Sequence, residues 1–256
     1  MIRKGGVIMR KAKLIGITAV LLAVLTGCSG SQTDYMELRQ QAIDELNRED
    51  AVLSVDTSTT TMGEESTTMT TELWYVNENY WVQESNTSEG VQSWLLFYNG
   101  AQYMKTVATG LDTGWMKMDT PTVREDIAKG NYEETMVLEE GRRQEDGIQI
   151  VCNVPKEALD ETWKENMKML PEDLQMTAQR PEAAQYTYYL DNENKLRRID
   201  ATWENTMKQQ DGEELIDITA TGTTSIEYEP IPREEAMEKI KEIYQEASES
   251  TASNTE

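Results

Sequence analysis

Few side chains in this sequence could carry out chemistry, and the missing types exclude several classes of site. The 256-residue chain contains no histidine and two cysteines, Cys28 and Cys152. Without histidine, a serine or cysteine nucleophile lacks its usual imidazole base, and zinc lacks its usual nitrogen ligand. The acidic run at 191–195 departs from the calcium-loop pattern and predicts a turn. We therefore predict a protein that is not an enzyme and uses no metal or cofactor, with a hydrolase built on a carboxylate pair as the enzymatic alternative.

Cys28 follows an N-terminal segment with the composition of a secretory signal. Residues 1–13 carry cations and no acid, residues 14–25 are mostly apolar, and small residues lead to the cysteine. This order is that of a signal peptide. The apolar part is shorter than the ~20 residues that a helix needs to cross a bilayer, so the sequence predicts no permanent transmembrane anchor.

The residues Leu-Thr-Gly-Cys at 25–28 resemble the lipobox of bacterial lipoproteins. The resemblance implies that a diacylglyceryl group is joined to the Cys28 thiol and that the chain is cut just before it. Two or more acyl chains hold a protein stably on a membrane. We therefore predict a signal peptide at 1–27, a short tether at 28–33 and an extracytoplasmic location at the cell membrane. An ordinary signal peptide with a chance cysteine is the alternative.

The chain is strongly acidic. It has 47 Asp and Glu against 24 Lys and Arg, which is a formal net charge of −23. Such a surface repels nucleic acid and anionic lipid headgroups. We therefore predict no nucleic-acid partner and interpret the charge as solvated faces, while an electropositive protein partner stays open as an alternative.

Apolar periodicity predicts helices separated by groups of strands. A helix is predicted at 34–48, a weak one at 121–129, a stronger one from Pro155 onward and a last one from Pro232. Thr-rich, β-branched runs between them predict strands, and their short links favour an antiparallel sheet. The Ser-, Thr- and Glu-rich residues 246–256 have little to bury, so we expect a disordered tail.

The sharpest local signal is the Asn-Gly pair at 99–100, which lies between two apolar runs. Asn-Gly favours a two-residue type I′ turn because both central positions need positive φ. That turn sets the register: Leu96 faces Tyr103 on one side of the hairpin, and Phe97 faces Gln102 on the other. Both sides carry large apolar groups, so we expect a helix, a loop or a ligand to cover each of them.

The second cysteine lies in a predicted strand. Cys152 alternates with Ile148 and Ile150, which places it on an apolar face. If Cys28 is lipidated, Cys152 has no partner for a disulfide within the domain. We therefore predict a buried, unreactive thiol.

This order of elements behind a lipobox resembles the LolA-like and LppX-like lipoprotein superfamily, and within it small lipoproteins of Gram-positive bacteria. The residues that carry the resemblance are Phe97-Tyr98-Asn99-Gly100, Tyr103-Met104-Lys105, Trp115-Met116-Lys117 and the strand and turn from Tyr186 to Leu196. The resemblance implies an α+β fold in one domain over residues 34–245. Its sheet would be strongly curved, mainly antiparallel and shaped as an incomplete barrel of about ten or eleven strands, with helices covering the concave face.

In characterised members of that superfamily the cavity holds acyl chains, so the resemblance implies a hydrophobic ligand. Six apolar strand positions are our candidates for the cavity lining: Leu96, Tyr103, Ile148, Ile150, Ile216 and Ile218. An ordinary core between sheet and helices is the alternative at each position.

The sequence leaves three functions open. The first is a membrane-anchored protein that binds, carries or senses a lipid or other hydrophobic molecule. The second is a non-enzymatic interaction module whose partner is a transporter, a receptor or a wall enzyme. The third is the hydrolase named above.

Overall fold

The β-branched and Thr-rich runs form long strands, and three amphipathic segments form helices. The computed structural model describes residues 32–119, 127, 132, 134–169, 179–211 and 214–253. The helices in these ranges are α1 (Gln32–Leu46), α2 (Lys156–Met169) and α3 (Arg233–Ser253). The strands are β1 (Val52–Met62), β2 (Glu65–Asn77), β3 (Tyr80–Thr87), β4 (Gln92–Tyr98), β5 (Ala101–Ala108), β6 (Leu111–Asp112), β7 (Met116–Met118), β8 (Val137–Gln144), β9 (Gly147–Asn153), β10 (Arg180–Leu190), β11 (Leu196–Asp211) and β12 (Glu214–Pro230).

All twelve strands belong to one sheet, in the order β6-β5-β4-β3-β2-β1-β12-β11-β10-β9-β8, with β7 beside β5. Every pair is antiparallel. The sheet is open, because β8 stands at one edge and β6 at the other. The predicted antiparallel, unclosed sheet is therefore confirmed. Its strand number exceeds the predicted ten or eleven, since two-residue β6 is too short to produce a sequence pattern.

The turn at 99–100 forms as predicted. Asn99 and Gly100 have φ of 48° and 82°, the positive values that a type I′ turn requires. Leu96 pairs with Tyr103 and Phe97 with Gln102, which is the predicted register. Because this register depends on residues adjacent in sequence, local chemistry was sufficient to predict it.

The helices pack on both faces of the sheet. Side chains of α1 form a core with β9, β10 and β11, and α2 adds Leu159 to the same core. A separate core joins α3 to β2, β3, β4 and β5. None of the helices in the described ranges is long and apolar enough to cross a membrane.

One helix predicted from the sequence has different bounds in the structure, and two other predicted segments fall largely outside the described residues. Helix α1 begins at Gln32 and ends at Leu46, against the predicted 34–48. Of the weak helix predicted at 121–129, all but Ile127 lies outside the described residues, as do the predicted signal peptide 1–27 and the first residues of the tether.

The predicted disordered tail is wrong up to Ser253, because α3 continues to that residue. Glu246 accepts hydrogen bonds from Lys105 Nζ at 2.9 Å and from Trp115 Nε1 at 3.1 Å. Ala247 is fully buried. Ala247 and Glu246 therefore pack against parts of the chain that are distant in sequence. Amino-acid composition does not predict such contacts. Residues 254–256 lie outside the described residues.

Candidate ligand-binding site

The strand register assigns each side chain to one of two faces of the sheet. One row of paired residues runs from Ile150 through Tyr188, Ile199 and Ile226 to Asp56, Thr71 and Ser85. Residues at alternate positions share this side, which also holds α1. We call it the α1 face. Val82, Leu96 and Tyr103 occupy the opposite side, which holds α3, and we call that side the α3 face.

The α3 face is filled over β2 to β5. Val82 and Leu96 have no exposed surface, and neither do Ala236 and Ile240 of the helix. The Tyr244 ring stacks on Tyr98 with centroids 4.0 Å apart. This part of the sheet is an ordinary helix-on-sheet core that leaves no room for a ligand.

The α1 face is also filled where α1 crosses β9 to β11. Ile148, Ile150 and Ile199 pack against Ile43 and its neighbours on the helix. Arg39 is buried there, with its guanidinium 5.2 Å from the Tyr188 ring centroid.

Cys152 lies in this same core as a free thiol with no exposed surface. Burial raises the pKa of the Cys152 thiol, and the nearby Arg39 guanidinium only partly opposes that effect. A buried thiol with a raised pKa is a poor nucleophile. The predicted burial is therefore confirmed.

A third apolar cluster lies on the α1 face over β2 to β4, and it contains no helix residue. Leu73, Tyr75, Trp81 and Phe97 form this floor cluster. Trp81 and Phe97 stack with centroids 5.8 Å apart. Leu95 and Ile127 pack against the cluster and stay partly exposed. The predicted second apolar side of the β4–β5 hairpin is this cluster.

A row of polar residues crosses β1, β2 and β3 on the α1 face, beside the floor cluster. Asp56, Thr71 and Ser85 are direct neighbours on β1, β2 and β3. The Thr71 and Ser85 hydroxyls lie 2.9 Å apart in a hydrogen bond, and Ser58 Oγ donates to Asp56 Oδ1 at 2.8 Å. Burial raises the pKa of the Asp56 carboxyl, and the Ser58 hydrogen bond partly offsets this. No salt bridge involves Asp56 within the part of the chain that the structure describes.

Apolar side chains next to this row remain partly exposed. We call them the open strip: Leu95, Met104, Tyr186, Ala201, Trp203 and Ile226. All six lie on the α1 face by register. The Trp203 ring lies over Gly222 on the neighbouring strand. The α1 face thus offers apolar surface beside a hydrogen-bonding row, which is the composition of a site for an amphiphilic molecule.

A cleft of ≈ 720 Å³ lies at the end of the sheet formed by the β8–β9 and β10–β11 turns. Leu53, Val55 and Tyr189 contribute apolar surface, and Glu227 and Glu229 contribute carboxylates. Arg197 and Asp191 pair at 2.8 Å on its wall. Burial alone would raise the pKa of the Asp191 carboxyl. Hydrogen bonds from the Lys195 amide and from Arg197 outweigh this effect, so the pKa of Asp191 lies below its usual value. The predicted turn at 191–195 forms, and Asp191 Oδ1 accepts hydrogen bonds from the Glu193 and Lys195 amides within it.

The structure does not bring the six predicted lining residues together. Leu96 and Tyr103 are buried under α3, whereas Ile148 and Ile150 belong to the core under α1, and Ile148 also borders the cleft. Ile216 and Ile218 lie near the start of β12, away from both helices' cores, and Ile216 is 40% exposed. Ligand contact at any of the six stays a prediction. The open strip was missed because alternation within one strand does not reveal which strands lie side by side on a face.

No Cys, Asp or Glu side chains gather in threes as metal ligands in the described ranges. The strongest ion-pair network joins Asp160, Arg180, Glu182 and Lys156 on the surface near the start of α2. The Arg180 hydrogen bond lowers the pKa of Asp160, and the Lys156 hydrogen bond lowers that of Glu182. This network ties α2 to β10.

Comparison with known proteins gives structural likeness without sequence likeness. No protein-family model matches the chain, and no curated protein matches it. Among solved structures, LprF from Mycobacterium bovis is similar with a TM-score of 0.36 and 11% identity, over 80% of this chain and 96% of that one. A DUF1329 family protein from Desulfovibrio piger has a TM-score of 0.30 and 8% identity, over 78% and 92% of the two chains. A LolA superfamily protein from Nitrosomonas europaea has a TM-score of 0.26 and 8% identity, over 74% and 90%. The solved structures that this chain resembles thus include a LolA superfamily protein.

Proposed function

We propose that the protein is a lipoprotein anchored through Cys28 on the extracytoplasmic side of the cell membrane, where it binds a lipid or other amphiphilic molecule on the α1 face. The observation that carries the proposal is the open strip. The α3 face is sealed by a helix over β2 to β5, while the open strip keeps six apolar side chains partly exposed on the other side of the same sheet. Four of the six, Tyr186, Ala201, Trp203 and Ile226, lie near one another on β10 to β12, and Leu95 and Met104 lie on β4 and β5. Exposed apolar surface beside polar groups is typical of ligand-binding grooves.

The polar row supplies the second half of an amphiphile site. Thr71 and Ser85 are buried, and their hydroxyls can donate to and accept from a ligand. Asp56 accepts from Ser58 and has further lone pairs for a donor. A ligand with an apolar chain over Ile226 and Trp203 would place a hydroxyl or ammonium group beside Asp56.

The ligand half of the proposal is tested with a fatty acid and a matched long-chain amine, each carrying a dansyl fluorophore. We expect dansyl emission to rise on excitation of tryptophan, because Trp203 lies in the open strip. Ile226→Gln should weaken binding several-fold. Val55→Gln is the matched control, because Val55 is also partly buried in a central strand but lies on the opposite face.

Two results would count against binding on the α1 face. One is equal binding by the Ile226 and Val55 variants, and the other is unchanged emission with both probes. Preference for the amine over the acid would support a contact with Asp56.

The anchoring half is tested separately with Cys28→Ser. Wild-type protein should partition into the detergent phase, and the variant should remain an uncleaved or mislocalised precursor. A variant that is processed and partitions like the wild type would refute lipidation at Cys28.

The alternative function, an interaction module, is favoured by charge. The net charge of −23 and the carboxylates Glu227 and Glu229 in the cleft suit a basic protein segment. Crosslinking in cells that recovers one partner, and loses it at high salt, would support this function.

A further inference from the structure

Two strands project beyond the rest of the sheet. Pairing of β11 with β10 ends at Thr206, and pairing of β12 with β1 ends at Ala220. Beyond these residues, Met207–Asp211 and the facing part of β12 pair with each other and, within the described residues, with no other strand. At ~3.3 Å per residue, this two-stranded ribbon extends about 17 Å past its neighbours.

One side of the ribbon carries apolar residues toward its base, while Gln209, Asp211 and Glu214 occupy the same side by register toward its tip. Met207 pairs directly with Ile218, and Ile216 is the next residue on the same side of β12. Met62, the last residue of β1, pairs with Ala220 at the base of the ribbon and faces the same way. We call these four residues, Met62, Met207, Ile216 and Ile218, the ribbon patch. Met62 is 39% exposed and Ile216 is 40% exposed. An isolated two-stranded ribbon is marginally stable in water, so exposed apolar groups on it indicate a surface that becomes covered.

The ribbon projects from the end of the sheet at which the chain enters the domain. Neighbouring strands alternate in direction, so β1, β11 and β9 run the same way and end at the same side of the sheet. Helix α1 begins at that side: the Met36 sulfur lies 3.7 Å from the sulfur of Cys152, the residue before the last in β9. The helix ends at Leu46, near the opposite side, where β1 begins.

The tether is shorter than the ribbon. Only residues 29–31 separate Cys28 from Gln32, the first residue of α1. The four Cα–Cα steps from Cys28 to Gln32 span at most ~14 Å, at up to ~3.6 Å per step. A lipid on Cys28 therefore holds the start of α1 within ~14 Å of the bilayer, while the ribbon extends ~17 Å from the same end of the sheet.

We propose that the ribbon patch lies in the interfacial layer of the membrane that holds the Cys28 anchor, so that the open strip leads from the bilayer surface into the domain. This inference rests on the anchoring proposed above. Interfacial binding buries apolar side chains at the boundary between headgroups and acyl chains. Glu64, in the β1–β2 turn, and Glu65, the first residue of β2, are exposed beside Met62. Their charge makes a zwitterionic surface the favoured one, because anionic headgroups repel them.

The test places a fluorophore at the patch of the full-length, lipidated protein. Ile216→Cys is labelled with an environment-sensitive dye, and Cys152 does not compete because it is fully buried. Met62→Cys, on another strand, provides a second site if the first variant fails to fold. Glu193→Cys is the control, because Glu193 lies in the exposed β10–β11 turn at the opposite end of the sheet.

The labelled proteins are bound to phosphatidylcholine vesicles containing lipids with brominated acyl chains. We expect a blue shift and quenching of the dye at 216 and at 62, and neither at 193. Adding phosphatidylglycerol should reduce the quenching at 216 and 62 while the protein still floats with the vesicles.

Three results would overturn the inference, and they are distinguishable. Protein that floats with vesicles but shows no shift at 216 or 62 is anchored without contact by the ribbon patch. Protein that does not float refutes the anchoring itself. A shift in detergent that depends on protein concentration, without vesicles, would assign the patch to a second copy of the chain.

Discussion

The contact between Trp203 and Gly222 supports the assignment of the α1 face and can be tested directly. The two residues face each other on β11 and β12, and a Cβ built on Gly222 would overlap the Trp203 ring. Gly222→Ala should therefore displace the indole. A fully buried Trp buries ~150–250 Å², so a half-buried one loses about 100 Å² of contact, or ~2.5 kcal/mol at ~25 cal/mol/Å².

The backbone contributes in the opposite direction. Gly222 has no positive φ, so Ala is compatible with its conformation and gains about 0.5–1 kcal/mol by restricting the unfolded chain. The net expectation for Gly222→Ala is a loss of about 1.5–2 kcal/mol. In a Trp203→Ala background the ring is gone, and the same change should stabilise by about 0.5–1 kcal/mol.

Urea unfolding followed by circular dichroism gives the four free energies of this double-mutant cycle. We expect a coupling energy of about 2–3 kcal/mol between positions 203 and 222. An equal cost for Gly222→Ala in both backgrounds would refute the contact between the Trp203 ring and Gly222.

Two further predictions concern the polar row and the α3 face. Asp56→Asn should raise the free energy of unfolding at neutral pH, because burial raises the pKa of Asp56 above 3.8 in the folded protein and its ionisation is therefore destabilising. The gain should disappear as the pH falls through the folded pKa to below 3.8, where the carboxyl is protonated in both states; a gain that does not change with pH would contradict this. Leu96→Ala should cost about 2–5 kcal/mol because Leu96 is fully buried under α3. Ile216→Ala, the exposed control, should change stability by about 0.5 kcal/mol or less in the same unfolding assay, and equal costs would refute the assignment of Leu96 to the core.

The burial of Leu96 and Ile150 bears on how a ligand could be held. Both side chains have no exposed surface, and they belong to cores on opposite faces of the sheet. A ligand in contact with either would have to displace a helix. Trp203 is partly exposed and lies outside both of these cores, and Ile226 is partly exposed at the border of the α1 core, so a ligand on the open strip can contact both side chains from the solvent side.

Several features could be predicted because they depend on neighbours in sequence. The positive φ values at Asn99 and Gly100 follow from residue type, and the register of the β4–β5 hairpin follows from that turn. The burial of Cys152 follows from its alternation with Ile148 and Ile150. The positions of most strands follow from β-branched runs bounded by turns.

Other features depend on contacts between distant parts of the chain. The extension of α3 to Ser253 depends on Lys105 and Trp115 meeting Glu246. Register shifts also intervene: irregular pairing between Tyr189 and Leu190 changes which residues share a face across β10 and β11. A pattern read along each strand separately cannot anticipate such a shift.

The strand-rich antiparallel class, the β4–β5 hairpin and the buried thiol followed from the sequence alone, since each of these depends on composition or on residues a few positions apart. Only the tertiary structure decided that β1 pairs with β12, and that Leu96 and Ile150 therefore lie on opposite faces. The physical reason is that alternation fixes sides within a strand, whereas pairing between distant strands is decided by the packing of the whole core.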